Sequence, residues 1–204
     1  MKKLTNAQMM VLKEISRYEF LNDFYLAGGT ALSLKYGHRF SEDFDFFVFF
    51  NRHVGLFKIA SFFHPKTIYE LSKDTLIFLY KGVKLSFFEY NYPFIKSPMI
   101  NKDFNVFIAS DEDIAAMKAI AIMQRGEKKD FFDLWYLLKN NKWTLKDITC
   151  FCRKKYSDSF NDYVFFKSLT FFEDAEKSNI KEIDIYWKEI KDYFKELVKG
   201  FYKN

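Results

Sequence analysis

The chain has 204 residues, 49% of them hydrophobic, so it is long enough to bury one large core or two small ones. No apolar run reaches the ~18–20 residues of a membrane span, and the charged first helix lacks the apolar stretch of a signal peptide. Cys150 and Cys152 are too close in sequence to favour a disulfide, which predicts a reducing, cytoplasmic location. The net charge of +5 permits an anionic partner such as a nucleotide or RNA without requiring one.

The elements predicted before residue 50 alternate between helix and strand. Thr5 can cap a first helix. The apolar stretch FYLAGG predicts a short strand, and TALSLKYG predicts a helix that the glycine at its end can terminate. DFDFFVFF predicts a second strand, because phenylalanine favours strands and the segment is too short and too aromatic for a surface helix.

The rest of the chain predicts a meander followed by helices. After a helix in VGLFKIASFF come three strand-like stretches with polar turns between them, which predict antiparallel strands. From Ser110 onward the pattern is helical almost to the end. We therefore expect an α+β fold with a small mixed sheet flanked by helices over residues 1–108. A helical C-terminal region packed on that core is expected over residues 109–204.

Two aspartates lie one residue apart in the phenylalanine-rich strand. Alternate side chains of a strand share a face, so Asp43 and Asp45 point one way while Phe44 and Phe46 point the other. Carboxylates about 7 Å apart repel each other, and burying them unpaired is costly. Mg²⁺ or Mn²⁺ would remove both problems, because hard divalent cations prefer carboxylate oxygens, often together with substrate phosphates. The alternative is a surface-facing strand with its acidic residues toward water.

A glycine pair stands at the turn from the first strand to the second helix. Gly28 and Gly29 let the backbone approach a ligand closely, and the N–H groups of a helix N-terminus attract phosphate. Thr30 is expected either to cap this helix or to contact a phosphate oxygen. The alternative is a tight turn with a threonine cap. Arg39, in the loop after the helix, either contacts phosphate or neutralises Asp43.

A lysine interrupts an otherwise apolar helix in the second half of the chain. Every residue from Ile114 to Met123 is apolar except Lys118, which is typical of a buried helix. The lysine must snorkel, lose its charge or meet an anion. The next helix brings Asp130 and Asp133, about one turn apart. Two interpretations stay open: Lys118 forms a structural salt bridge with one of these aspartates, or it reaches nucleotide phosphates with Asp130 positioning it.

The combination of LAGGT, twelve intervening residues and DFDFF resembles the nucleotidyltransferase superfamily with a polymerase-beta-like core. More narrowly, AGGTALSLKYGHRFSEDFDFF and DIAAMKAIAIMQRGEKKDFFDLWYLL are similar to the AbiEii-type nucleotidyltransferases, often the toxins of bacterial toxin–antitoxin or abortive-infection systems. The resemblance implies an Mg²⁺- or Mn²⁺-dependent enzyme. It would move a nucleotide from an NTP to an RNA (tRNA included) or protein acceptor, with a cognate antitoxin protein as a partner and no membrane.

The resemblance also implies two groups of site residues. The catalytic residues are Asp43, Asp45, Lys118 and Asp130, of which the first two hold the metal. The nucleotide-binding residues are Gly28, Gly29, Thr30, Arg39 and Lys118.

One position departs from the superfamily pattern. Its members usually carry a third carboxylate on a later strand, where this chain has Ser86, and Glu89 points to the opposite face of a regular strand. Either the site works with two carboxylates, or Asp130 or Asp133 supplies the third, or activity is reduced. The alternative to an active enzyme is a catalytically reduced descendant that binds a nucleotide or a protein partner.

Overall fold

The computed structural model describes residues 3–201. They form two compact units that meet in sequence between Ser110 and Asp111. The first unit is a sheet with helices, and the second is helical. The predicted α+β class, with a mixed sheet, flanking helices and a helical C-terminal half, is confirmed. None of the helices over residues 3–201 combines the length and apolar composition that a membrane span requires.

The first unit contains a seven-stranded mixed sheet in the order β3-β4-β5-β2-β1-β7-β6. The pairs β1–β7 and β2–β5 are parallel and the other neighbours are antiparallel. Its strands are β1 (Phe24–Ala27), β2 (Phe44–Val48), β3 (Thr67–Leu71), β4 (Thr75–Tyr80), β5 (Val83–Phe88), β6 (Met99–Asn101) and β7 (Val106–Ile108). Its helices are α1 (Asn6–Ile15), a 3-10 turn (Glu19–Asp23), α2 (Gly28–Tyr36) and α3 (Leu56–Phe63).

Local sequence accounts for the ends of two of these helices. Thr5 caps α1 as predicted, and it does so in a capping box with Gln8, in which each side chain bonds the other residue's backbone N–H. Helix α2 ends at Tyr36 and is capped by Gly37, whose φ of 60° is the left-handed conformation that glycine adopts without strain. The antiparallel meander β3-β4-β5 is also confirmed. The short strands β6 and β7 were not predicted.

One face of the sheet forms an aromatic core. Phe44 and Phe46 on β2 are buried on the same face as Leu85 and Phe87 on β5. The rings of Phe46 and Phe87 stack with centroids 5.2 Å apart. Each buried phenylalanine contributes about 1.5–3 kcal/mol relative to an exposed one. This packing fixes the register of β2 against β5, and the register in turn decides what lies on the other face.

The second unit is built around the buried helix α4. In chain order its helices are α4 (Asp111–Gln124), α5 (Lys128–Asn141), α6 (Leu145–Tyr156), a 3-10 turn (Ser157–Ser159), α7 (Asp162–Leu169), α8 (Glu173–Glu176), α9 (Lys181–Asp184) and α10 (Trp187–Phe201). Helix α4 contacts α5, α6 and α7. Three neighbours explain why its sequence is apolar nearly all round.

Candidate active site

The two aspartates lie on the face of β2 opposite the aromatic core. Asp43 directly precedes the strand and Asp45 is its second residue. Phe44 and Phe46 are buried, whereas Asp43 and Asp45 are partly exposed. The alternation expected from the strand period is therefore present, with both carboxylates on the more accessible face.

The glycine turn lies against this carboxylate pair. Ala27, the last residue of β1, pairs with Asp45 of β2, and α2 begins at the next residue. Gly28 has φ +69°, and a Cβ at this position would lie 3.1 Å from Oδ2 of Asp45. A side chain here would therefore be both strained and crowded. The glycine brings the N-terminus of α2 beside a carboxylate.

Arg39 packs against the second glycine. A Cβ at Gly29 would overlap the guanidinium group of Arg39. Arg39 can therefore occupy this position only because Gly29 has no side chain. Arg39 is buried, and its Nη1 donates to the carbonyl of Phe40 at 2.8 Å. The structure thus brings Gly28, Gly29, Arg39 and Asp45 together.

Of the two roles expected for Thr30, capping of α2 is not the one that the structure has. The helix begins at Gly28 with Ala27 as its N-cap residue, and no side chain bonds the cap. Thr30 lies inside the first turn and is buried; its hydroxyl bonds the Ser41 hydroxyl at 2.8 Å and the carbonyl of Asp43. Thr30 therefore fixes the backbone that carries the first aspartate, because the loop folds back onto the helix.

Sequence reasoning missed one residue on the carboxylate face. Lys84 on β5 bonds Asp43, with 2.7 Å between Nζ and Oδ2. This hydrogen bond raises the pKa of Lys84 above its ordinary value. The signal was present in the sequence, because Lys84 is two residues before Ser86 and alternate residues of β5 share a face.

Ser86 is the residue that the sequence resemblance led us to expect in place of a third carboxylate. The parallel pairing of β2 with β5 sets it directly opposite Asp45, and it is 2% exposed. Glu89 does not replace it, because its carboxylate accepts a hydrogen bond from the Val54 N–H at 3.0 Å and contacts the His53 ring. Across residues 3–201, no group of three or more His, Cys, Asp or Glu side chains could hold a metal ion.

The donor set still fits a hard divalent cation that shares its ligands with a substrate. Asp43 and Asp45 offer oxygen atoms on one accessible face, and Mg²⁺ is commonly bound by one or two carboxylates plus phosphate oxygens. Lys84 contacts one carboxylate oxygen of Asp43. A carboxylate has a second oxygen, so this bond does not prevent coordination.

The second unit holds a buried cluster of charges around Lys118. Its Nζ lies 2.8 Å from Oδ1 of Asp130 and 2.8 Å from Oδ2 of Asp133, and both carboxylates are fully buried. Arg125 also binds Asp130, with 2.9 Å from Nε to Oδ2. Burial opposes ionisation of Asp130, but Lys118 and Arg125 outweigh it and hold the pKa of that carboxyl below its ordinary value.

This cluster corresponds to the salt-bridge interpretation of Lys118, extended to both aspartates. Lys118 itself is only 6% exposed. Asp130 and Asp133, considered from sequence as sources of a third carboxylate, are each bonded to a cation of their own unit. Contact of Lys118 with nucleotide phosphates stays a prediction.

A separate buried ion pair links α4 and α6. Lys155 donates to Asp113 at 2.7 Å, and both side chains are at most 1% exposed. Burial lowers the pKa of Lys155, and the nearby Asp113 carboxylate opposes that shift. Sequence analysis did not identify this pair.

One protein-family model matches most of the chain. The family model for the nucleotidyl transferase AbiEii toxin of type IV toxin–antitoxin systems matches residues 11–76 and 83–200. It therefore spans both units, including the glycine turn, the aspartate pair and the Lys118 cluster.

Individual relatives were found among curated proteins and solved structures. The uncharacterized protein aq_aa25 of Aquifex aeolicus is 46% identical over 208 residues, with 100% of both chains covered. JHP933 from Helicobacter pylori is 18% identical with a TM-score of 0.48, covering 97% of this chain and 94% of that one. A structure described as a candidate nucleotidyltransferase from H. pylori is also 18% identical, with a TM-score of 0.46 and 94% of each chain covered.

Proposed function

Because the chain belongs to the AbiEii family of nucleotidyltransferase toxins, we propose that it transfers a nucleotide from an NTP to a hydroxyl group of an RNA, tRNA included, or of a protein. The observation that carries this proposal is the contact between the glycine turn and the aspartate pair. A Cβ at Gly28 would lie 3.1 Å from Asp45, so a helix N-terminus, which attracts phosphate, lies beside a carboxylate of the type that binds Mg²⁺, and this supports the proposal.

The chain's residues have distinct roles in this proposal. The N–H groups at Gly28 and Gly29 bind the triphosphate, and Arg39, packed on Gly29, adds a positive charge beside it. Thr30 positions Asp43 through its carbonyl rather than binding phosphate directly. Asp43 and Asp45 would hold Mg²⁺ or Mn²⁺, which supplies positive charge for the phosphoryl oxygens and the leaving group when bound.

The proposed reaction is an in-line displacement at the α-phosphate. The acceptor hydroxyl oxygen forms a bond to the α-phosphorus, and the bond from that phosphorus to the bridging oxygen of the β-phosphate breaks. Pyrophosphate leaves with the electron pair, and the hydroxyl proton passes to water. Positioning and charge stabilisation account for most of the catalysis in such transfers. NTP and RNA as substrates, and an antitoxin as partner, imply a cytoplasmic site of action.

The expected role of Lys118 as a phosphate-contacting lysine, with Asp130 positioning it, is kept only as a secondary part of the proposal, beside a structural role. The bond between them, 2.8 Å long, supports the positioning half of that interpretation. The burial of Lys118 argues that its larger contribution is to stability.

A second candidate function is nucleotide binding or protein interaction without efficient transfer. One observation favours it, namely that Ser86 stands opposite Asp45 where a carboxylate is usual. The two candidates differ in whether label from an NTP becomes covalently attached to an acceptor.

Incorporation of label distinguishes the two candidates. The protein is incubated with total RNA or total protein, Mg²⁺, and each α-labelled NTP in turn. We expect at least one NTP to label one acceptor class, and the label to be absent with EDTA or with the Asp43→Asn/Asp45→Asn variant. A folded protein that binds Mg²⁺–NTP yet labels neither acceptor would favour the second candidate.

A further inference from the structure

We infer that Lys84 takes the place of a second divalent cation, so that the chain holds a single metal ion per NTP. This inference rests on the proposed function. It starts from the face of the sheet that carries Asp43 and Asp45, where β5 contributes Lys84 and Ser86.

The sheet register sets these two β5 residues against the two aspartates. Ser86 is opposite Asp45, and Lys84 reaches Asp43 at 2.7 Å. A carboxylate at position 86 would provide a third anionic ligand for a second cation. Lys84, two residues before Ser86 on the same face of β5, instead supplies a permanent positive charge at the aspartate pair.

Electrostatics disfavours two divalent cations here. Two ions would bring four positive charges to a pair of carboxylates that already bonds an ammonium group, with an uncharged alcohol at position 86. Two-metal sites place their second ion where it stabilises the attacking or leaving oxygen. The Lys84 ammonium, held at Asp43, supplies positive charge beside the aspartate pair without a third carboxylate.

The exposure of this ion pair suits such a role. The Lys84 and Asp43 side chains are 41% and 30% exposed, so the ammonium group is accessible to substrate and can pivot between Asp43 and a phosphate oxygen. Exposed pairs of this kind contribute little to stability. Replacing Lys84 should therefore leave the fold intact and report on the site.

The chain offers a matched control on the same hairpin. Lys81 bonds Glu14 at 2.6 Å and is 57% exposed, so it is another partly exposed lysine paired with a carboxylate. It does not bond Asp43 or Asp45. Lys81→Met thus removes a comparable ion pair away from the site.

The first test titrates Mn²⁺ alone, followed by electron paramagnetic resonance. Lys84→Met should bind Mn²⁺ about tenfold more tightly than wild type, because a competing positive charge has gone. Lys81→Met should match wild type. An unchanged Mn²⁺ affinity in Lys84→Met would overturn the inference.

The second test counts metal ions in the presence of α,β-methylene analogues of the four NTPs. Wild type should hold one Mn²⁺ per bound analogue, and Lys84→Met/Ser86→Asp should hold two. Transfer should fall about 100-fold in Lys84→Met and recover in part in Lys84→Arg. Two ions in wild type, or full activity in Lys84→Met, would contradict the inference.

Failure of this inference is separable from failure of the proposed function. If Asp43→Asn/Asp45→Asn loses Mn²⁺–analogue binding while Lys84→Met behaves as wild type, only the role of Lys84 is wrong. If the double aspartate variant binds as wild type does, the metal site itself is wrong.

Discussion

Each unit contains two aspartates close in sequence and a lysine that bonds one of them in the first unit and both in the second, but the two clusters differ in their access to water. In the second unit Asp130 and Asp133 are fully buried around Lys118. In the first unit Asp43 is 30% exposed and its partner Lys84 is 41% exposed. The two clusters therefore use similar chemical groups in different surroundings.

The difference in exposure decides which cluster can exchange its partners. Removing one partner of a buried ion pair leaves an unpaired buried charge and lowers the free energy of unfolding by about 3–5 kcal/mol. The Lys118 cluster is therefore held in one arrangement. An exposed pair is worth about 0–1 kcal/mol because water can replace either partner. A cation or phosphate can then compete for Asp43 or Lys84, which makes the first unit's pair suitable for binding.

The largest expected effect is on Lys118. Lys118→Met should cost about 3–5 kcal/mol of unfolding free energy, because two buried carboxylates lose a shared partner. Thermal or denaturant unfolding measures it. A small stability cost together with abolished transfer would instead establish Lys118 as a phosphate-binding residue and break the comparison.

Lys155→Met serves as the control for that experiment. Lys155 is also a buried lysine of the second unit bonded to an aspartate, and it has no proposed role in transfer. Transfer per folded molecule should be equal in the two variants if Lys118 is purely structural. A deficit confined to Lys118→Met would point to contact with the nucleotide.

The next effect concerns Asp130 and pH. Asp130→Asn should cost about 1.5–3 kcal/mol at pH 7, the range for hydrogen bonds to charged groups. The pKa of Asp130 is lowered in the folded state from 3.8. The contribution of the ionised Asp130 to the free energy of unfolding is therefore complete above pH 3.8. It is lost as the pH falls through the pKa that Asp130 has in the folded state.

Unfolding of both proteins from pH 7 to pH 2 measures this dependence. The difference between wild type and Asp130→Asn should be constant down to about pH 4 and shrink below it. A difference that stays constant in acid would show that Asp130 does not ionise in the way its bonds to Lys118 and Arg125 require.

The smallest effect is at the glycine turn. Gly28→Ala should cost about 1–2 kcal/mol, because φ is +69° there and an alanine Cβ is unfavourable in that region. It should also weaken Mg²⁺–NTP binding by crowding Asp45. Gly82→Ala is the control, with φ +79° and nothing within 4 Å of the added Cβ. Equal Mg²⁺–NTP affinity in the two variants would show that the glycine turn is not part of the nucleotide site.

Local patterns in the sequence were sufficient to predict part of the site. The alternation of Asp43 and Asp45 with buried phenylalanines depends only on the two-residue period of a strand. The burial of Lys118 followed from its apolar helix. Both features are encoded within a few residues.

Other features depend on contacts between distant residues and were missed. The Thr30 hydroxyl bonds residues 11 and 13 positions further along the chain, so the local sequence, which offered capping as one of two roles, could not indicate these contacts. The bond from Lys84 to Asp43 depends on the parallel pairing of β2 with β5. The strand period shows which residues of β5 share a face with Ser86, but it does not show which strand lies beside them. Strands β6 and β7 have three residues each, too few to show a period.

Calorimetric titration of Mg²⁺–NTP into the Asp43→Asn/Asp45→Asn variant tests the central claim most directly. Asp23→Asn, which alters an exposed carboxylate paired with Arg52, is the matched control. We expect the double variant to keep wild-type stability or gain slightly, because a repulsive carboxylate pair is relieved. Its affinity for Mg²⁺–NTP should fall at least about 100-fold, while the control binds normally. Wild-type affinity in the double variant would contradict the assignment of Asp43 and Asp45 as the metal site.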